Sequence, residues 1–241
     1  MLIPYQTYLR VGQAYAEELK ERPDVLGVIL AGSWLDGQPD PNADIDIPVI
    51  LAPETGTRQR GNTWREGIEI EFLENPPQQI RAYFRQEASP HTAHMLAHGQ
   101  LVWHRDPVVP ELIAEAKAIW TAGPPPLSDF ARKMMRYRID DLRKDLADCQ
   151  ALNNVFGERQ VRQALVDLCL DAFCGSHGLW QDKAKRVWQQ VQEVDADFAR
   201  LLLDFQTGDK AAEADLFTRT AQFIGGVRSR DWFLQGPLDL R

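Results

Sequence analysis

The stretch Gly123-Pro124-Pro125-Pro126 constrains this chain more than any other. Each proline removes a backbone donor and drives the residue before it out of the helical region. Three in a row form a stiff, extended spacer that no helix and no central strand can run through. The two sides of the spacer are patterned differently, which makes it a domain boundary: residues 1–122 form one expected domain and residues 127–241 a second. With 241 residues, 44% of them hydrophobic and 26% charged, the chain can fill two cores, and disorder, collagen-like repetition and a disulfide-dense miniature are excluded.

Before the spacer, strands are expected among helices. Tyr5, Leu9, Ala14, Tyr15 and Leu19 recur at helical spacing, and Pro23 stops that helix. Residues 25–31 form a short, β-branched run, too short for a buried helix and suited to a buried strand. Gly32-Ser33 follows it, then a segment from Asp36 to Asn42 dense in turn formers. Residues 44–51 alternate acid and aliphatic before becoming wholly apolar, which predicts a second strand with an acidic entry. Residues 67–73 alternate again, placing Glu69 and Glu71 on one face of a third strand and Ile68, Ile70 and Phe72 on the other. Past Pro76-Pro77 the pattern is helical through Phe84; Ser89-Pro90 has cap chemistry for another helix closed by Gly99, and residues 108–120 read as helix too.

After the spacer every pattern is helical. Met135, Ile139, Leu142, Leu146 and Cys149 make one apolar stripe, and Val161, Leu165, Leu168 and Ala172 a second. Val187, Val191, Val194 and the segment from Phe198 to Phe205 make a third, so a bundle of four or five helices is expected. The fold class is therefore α+β, a sheet-bearing domain followed by an all-α helical bundle.

Charge narrows the partners. The net charge is −8, and residues 1–120 carry 10 basic against 17 acidic side chains while the remainder carries 17 against 18. An acid-rich front half repels polyanions, which argues against duplex nucleic acid. Cys149, Cys169 and Cys174 form no C-x-x-C pair and lie on helical stripes, so they read as small core residues in a reducing compartment. The opening residues contain no long apolar run, and nowhere do 18 apolar residues follow one another; no membrane span and a cytoplasmic protein are expected. His91, His94 and His98 share a helix face, but no carboxylate or cysteine stands at a matching offset, so an ordinary helix surface is the expectation.

The chemistry converges elsewhere. Residues two apart on a strand point the same way, so Asp44 and Asp46 present both carboxylates to one point while Ile45 and Ile47 anchor the opposite face. Such a pair is costly without a cation, and Mg²⁺ characteristically takes one or two carboxylates together with phosphate oxygens. A third carboxylate from the Glu69 strand permits a second metal, and two metals about 3.5 to 4 Å apart can clamp both oxygens of an in-line phosphoryl displacement. Gly32 would let backbone approach a phosphate, with Ser33 adding N–H and hydroxyl donors.

The string from Ala31 to Ile47, Gly-Ser, a turn-rich spacer and Asp-Ile-Asp-Ile, resembles the signature of the DNA-polymerase-β-type nucleotidyltransferase superfamily. Ile68-Glu69-Ile70 looks like its third-carboxylate strand, because the acid lies between two aliphatics; Glu71, on the same face, is the other candidate. The compact first domain followed by helices is similar in layout to the aminoglycoside nucleotidyltransferase branch. Trp34 and Ala43 stand where many members have arginine and serine. The resemblance implies a mixed β-sheet flanked by helices, with Gly32 and Ser33 on the β and γ phosphates of a nucleoside triphosphate. It also implies Asp44 and Asp46 on two Mg²⁺ ions, with Glu69 completing the site beside the acceptor hydroxyl.

In the helical half, the segment from Arg132 to Asp145 alternates charge at helical neighbours, Arg136 with Asp140 and Asp140 with Lys144, as a solvated, salt-bridged face does. Asp140, Asp141 and Glu71 are the candidates for a general base. Lys185, with Lys183 between Trp180 and Trp188, is a candidate nucleotide-binding cation. The expected activity is transfer of a nucleoside monophosphate, first of all AMP from ATP, to a hydroxyl of a small, aminoglycoside-like acceptor in a cleft between the domains, with release of pyrophosphate. A protein or RNA acceptor of the toxin–antitoxin kind, a non-catalytic nucleotide sensor and a pure interaction module are the competing readings. The nucleobase, the acceptor and the oligomeric state stay open, a homodimer included.

Overall fold

The computed structural model describes residues 3–37, 39–86 and 91–235. The chain separates into two compact units, residues 1–122 and 123–241. The first begins with helix α1, Tyr5–Lys20, whose inner face is Tyr8, Val11, Ala16 and Leu19. Ala14, part of the expected stripe, is exposed, because the buried stripe runs through Tyr8 and Val11 instead.

Five strands follow: β1 Val25–Leu30, β2 Ile45–Leu51, β3 Gln59–Arg65, β4 Ile68–Asn75 and β5 Gln100–His104. They form one sheet in the order β3-β4-β2-β1-β5. β2 and β4 are parallel, and the other pairs are antiparallel, so the sheet is mixed. Helices α2 Pro77–Gln86, α3 His91–His98 and α4 Val108–Ala122 complete the unit. The expected helix cap at Ser89-Pro90 falls outside the described residues.

The sheet has two apolar faces. On one, Val28, Leu30, Ile45, Ile47, Val49, Ile68 and Ile70 pack with Tyr8, Val11 and Leu19 of α1. On the other, Ile29 and Ile50 pack with Ile80, Leu96, Val109 and Leu112 of the three later helices. Asp46 lies on this second face, at the opposite end of β2 from Ile50 and only partly covered.

β3 and β5 are strands that apolar patterning does not disclose. The sequence of β3, QRGNTWR, is almost wholly polar and lies on an edge, where only one side is hydrogen-bonded. Its pairing comes from a two-residue turn at Glu66-Gly67, both with positive φ (53° and 80°), the geometry that matches strand twist in a hairpin. Arg10 of α1 donates to both oxygens of Glu66, at 2.6 and 2.5 Å, and ties the turn down.

One charge is buried in this unit and paired. Glu74 of β4 is 2% exposed and receives Nη1 and Nη2 of Arg22 at 2.5 and 2.9 Å. Arg22 also holds Asp24, which lies below the usual carboxylate range because of that guanidinium.

The second unit is helical: α5 Asp129–Ala151, α6 Val155–His177, α7 Val187–Val194, α8 Ala196–Gln206 and α9 Lys210–Phe223. Side chains of Ser128, Asn154, Asp195 and Asp209 cap four of these helices, accepting from backbone N–H groups in the first turn. The core gathers Leu146, Leu165, Leu168, Phe173, Val191, Phe198, Phe205 and Leu216, with Phe173 stacked on Phe198 at 5.1 Å. Val194, expected on the inner stripe, is exposed at the last position of α7, where the helix ends at Asp195. Among the described residues no helix is long and apolar enough to cross a membrane.

Two predictions follow from this packing. Arg22→Ala leaves the Glu74 carboxylate buried without its partner and should lower the free energy of unfolding by about 3 kcal/mol in urea titration, with part of the loss recovered in Arg22→Ala/Glu74→Leu. Burial pushes the thiols of Cys169 and Cys174 up to about 12 and about 11. At pH 8 in native protein these two should resist Ellman's reagent, becoming reactive only after unfolding, while the less buried Cys149 reacts first.

Candidate active site

The site is assembled where β1 ends. Ala31 has left the strand yet exchanges both backbone bonds with Asp46, its N–H donating at 2.7 Å and its carbonyl accepting at 3.1 Å. Gly32 follows with φ +115°, and a Cβ there would stand 2.9 Å from the Trp34 ring and 3.0 Å from the Asp44 carbonyl oxygen. Only glycine fits such a corner. Ser33 opens a single 3₁₀ turn, Ser33–Asp36.

Trp34, in the position where the resembling family commonly has arginine, is fully buried. Its Nε1 donates to the Ala31 carbonyl at 2.8 Å, and its ring stacks on Tyr8 at 5.9 Å and tilts against Tyr5 at 5.6 Å. The Tyr8 hydroxyl donates to the Ala43 carbonyl at 3.2 Å. Burial, and then the charge of Asp44, raise the Tyr8 pKa and keep this donor protonated. The turn from Ala31 to Asp44 is therefore pinned at both ends by α1.

Asp44 and Asp46 emerge beside this turn, half-buried. Parallel pairing in register sets Ile45 against Ile70 and Asp46 against Glu71. Oxygens of Asp44, Asp46 and Glu71 all lie within 4.8 Å of one another. The third acid of the cluster is thus Glu71 and not Glu69, the residue favoured by its aliphatic neighbours. Glu69 shares the face but lies one pleat away, and its carboxylate accepts from Asn62 Nδ2. Arg60 of the edge strand donates through Nε to Glu71 at 2.8 Å. The register could have been found by counting outward from Glu66-Gly67, which pairs Asn62 with Glu71 and Trp64 with Glu69.

The donor set is hard, anionic oxygen on a partly open face, which suits Mg²⁺ and disfavours softer ions. Among the described residues this is the one group of histidine, cysteine and carboxylate side chains gathered tightly enough for a metal. His94 and His98 instead pack on the Trp120 ring, at 4.6 and 5.1 Å, as a helix surface does.

No protein-family model matches the chain, and no curated protein matches it in sequence. In structure it is similar to a nucleotidyltransferase-like protein from Exiguobacterium sibiricum 255-15, with a TM-score of 0.50 and 12% identity over 90% of this chain and 74% of that one. The fold is nucleotidyltransferase-like. Identity this low speaks for the fold, and chemistry has to come from the residues.

Outside the first unit of this nucleotidyltransferase-like fold, the other sequence candidates separate. Asp140 on α5 accepts from Lys144 and from Arg228, each at 2.9 Å, and Lys144, with Arg228, holds its carboxyl below the usual range. A carboxylate so held is a poor general base. Arg136, expected to pair with Asp140, instead donates to the Ile224 carbonyl at 2.9 and 2.6 Å. Asp141 is exposed on α5, and Lys185 is exposed in the turn before α7. The Gly32 corner yields a test: Gly32→Ala should lower stability by about 2 kcal/mol in thermal denaturation, because the added Cβ meets Trp34 and the φ is unfavourable.

Proposed function

We propose that this chain is a metal-dependent nucleotidyltransferase that moves a nucleoside monophosphate, AMP from ATP in the first instance, onto a hydroxyl of a small acceptor. The observation that carries the reading is the convergence of Asp44, Asp46 and Glu71 beside the Gly32-Ser33 turn. An isolated Asp-x-Asp is common; one joined by register to a third carboxylate, next to a corner only glycine can make, has the composition of a site for a metal and a phosphate.

Asp44, Asp46 and Glu71 would hold the two Mg²⁺ ions. Bound there, Mg²⁺ would supply the positive charge that offsets the triphosphate and the charge developing on the leaving group. Ser33 donates its hydroxyl to phosphate oxygens, and Gly32 removes the side chain that would otherwise keep phosphate away from the backbone. Lys185 belongs to the proposal as a phosphate-binding cation. The acceptor oxygen forms a bond to the α-phosphorus as the bond to the bridging oxygen breaks. Pyrophosphate leaves with that electron pair, and the hydroxyl proton passes to solvent or to a site carboxylate. Most of the rate comes from alignment, because little covalent work falls to the protein.

Thermal denaturation with ATP and Mg²⁺ checks the reading. The wild type should show an upward shift that needs both additions, since ligands that bind only the folded state stabilise it by mass action. Asp44→Asn, Asp46→Asn and Glu71→Gln should lose that shift and release pyrophosphate at least about 100-fold more slowly. Glu69→Gln should keep the shift, and an equal shift in Asp44→Asn and wild type would end the metal assignment.

A further inference from the structure

Beside the acidic cluster, the edge strand presents a short ladder on the same face. Arg60 reaches diagonally to Glu71 and Asn62 diagonally to Glu69. The next diagonal partner, that of Trp64, is Gly67, which has no side chain to offer. The Trp64 ring accordingly stays 61% exposed. Arg65, its neighbour, faces the other way and lies over Tyr15 of α1, so Trp64 is on the side of the acids and not of that helix. Among the described residues no ring or cation stacks on Trp64. A large bare indole next to a carboxylate already oriented by an amide is a poor use of an edge strand unless something binds there.

Its place in the sheet says which ligand. From the Gly32 turn outward, the strands run β1, β2, β4, β3. With neighbouring strands about 4.8 Å apart, Trp64 stands about 10 Å from the aspartate strand and about 14 Å from the strand that leads to the Gly32 turn. A triphosphate anchored at that turn and crossing the aspartates occupies the β1 and β2 side, so the β4 and β3 side is left for the acceptor.

We propose that Trp64 and Glu69 form the acceptor subsite: the indole stacks on the face of a ring, and Glu69, held by Asn62, accepts from a hydroxyl or ammonium group on that ring's edge. The acceptor class is therefore a cyclic molecule bearing donors, and Trp64 acts as a specificity residue. This rests on the nucleotidyltransferase reading above. Stacking on an indole favours rings over flexible polyols, and a nearby carboxylate favours donors over acceptors.

D-glucosamine, a ring with hydroxyl and ammonium donors, and glycerol, which has hydroxyls and no ring, serve as probes. The indole N–H signal of Trp64 in the NMR spectrum of the full chain is assigned by its disappearance in Trp64→Phe. It should shift on adding glucosamine and stay in place with glycerol or with MgATP alone. In pyrophosphate release from MgATP, Trp64→Ala should raise the KM for glucosamine about tenfold, with kcat and the MgATP dissociation constant within twofold of wild type; Trp64→Phe should restore most of the loss. Glu69→Gln should weaken glucosamine and leave MgATP binding as it was. An unmoved Trp64 signal with glucosamine overturns the subsite, and a signal that moves with MgATP alone makes Trp64 a nucleobase platform and overturns it as well. Failure of MgATP to bind the wild type, with glucosamine still shifting the Trp64 signal, would remove the nucleotidyltransferase reading and keep the ring-binding site.

Discussion

Everything at the candidate site depends on the register between β2 and β4. Ile45, Ile47 and Val49 are fully buried against α1, and Ile68 and Ile70 are buried beside them. Because side chains alternate along a strand, a slip of one residue in β2 would turn Asp44 and Asp46 into the core and Ile45 and Ile47 out of it. The aliphatic residues therefore hold the acids in place without touching them. The same pairing fixes which glutamate faces the aspartates, since Ile45 against Ile70 brings Asp46 to Glu71. Site geometry is here a by-product of core packing.

The turn between β1 and β2 obeys a related logic. Where polar groups at two loop positions are common in the resembling family, this chain has a buried tryptophan and an alanine. Trp34 fills the space under Gly32 and bonds the Ala31 carbonyl, while the Tyr8 hydroxyl reaches the Ala43 carbonyl from α1. The loop is held by aromatic packing and two side chain to backbone hydrogen bonds. Such an arrangement leaves the backbone of the turn ordered before any ligand arrives, which lowers the entropy lost on binding.

Local signals were legible, and non-local ones were not. The strands at Val25–Leu30, Ile45–Leu51 and Ile68–Asn75 carry β-branched runs or strict alternation, and periodicity suffices to find them. The helices after Gly123 carry stripes and capping residues such as Ser128 and Asp195, for the same reason. β3 escapes, because an edge strand with one polar face and few apolar residues has no pattern to distinguish it from a loop. β5 escapes because five residues after a helix are too few. At the site, Asp44 and Asp46 are readable because both lie on one strand. Glu69 and Glu71 satisfy the same alternation equally, and choosing between them needs the stagger of two strands separated by a hairpin. A preference for the acid between aliphatics uses neighbours in sequence, whereas the cluster is decided by neighbours in space. Arg60 was invisible for that reason too, although Glu66-Gly67 marks the turn from which its strand is counted.

The electrostatics of the cluster explain why the arrangement is tolerable at all. Carboxylate oxygens no more than 4.8 Å apart repel one another, by about 3 kcal/mol per pair at an effective dielectric constant of about 20. Two features limit that repulsion: the acids are only partly covered, so water still screens them, and Arg60 lies against Glu71. Full burial would have made the cluster untenable without a bound ion, and full exposure would have weakened its hold on one. Partial cover between α1's core and an open edge keeps the charges ionised yet close, so that neutralising them is downhill. The surplus of acids in residues 1–120 acts in the same direction, drawing cations toward this unit and turning polyanions away. A nucleoside triphosphate, itself strongly anionic, then approaches such a face more favourably in company with divalent cations than alone. Metal and nucleotide binding are thereby coupled by charge before any specific contact forms.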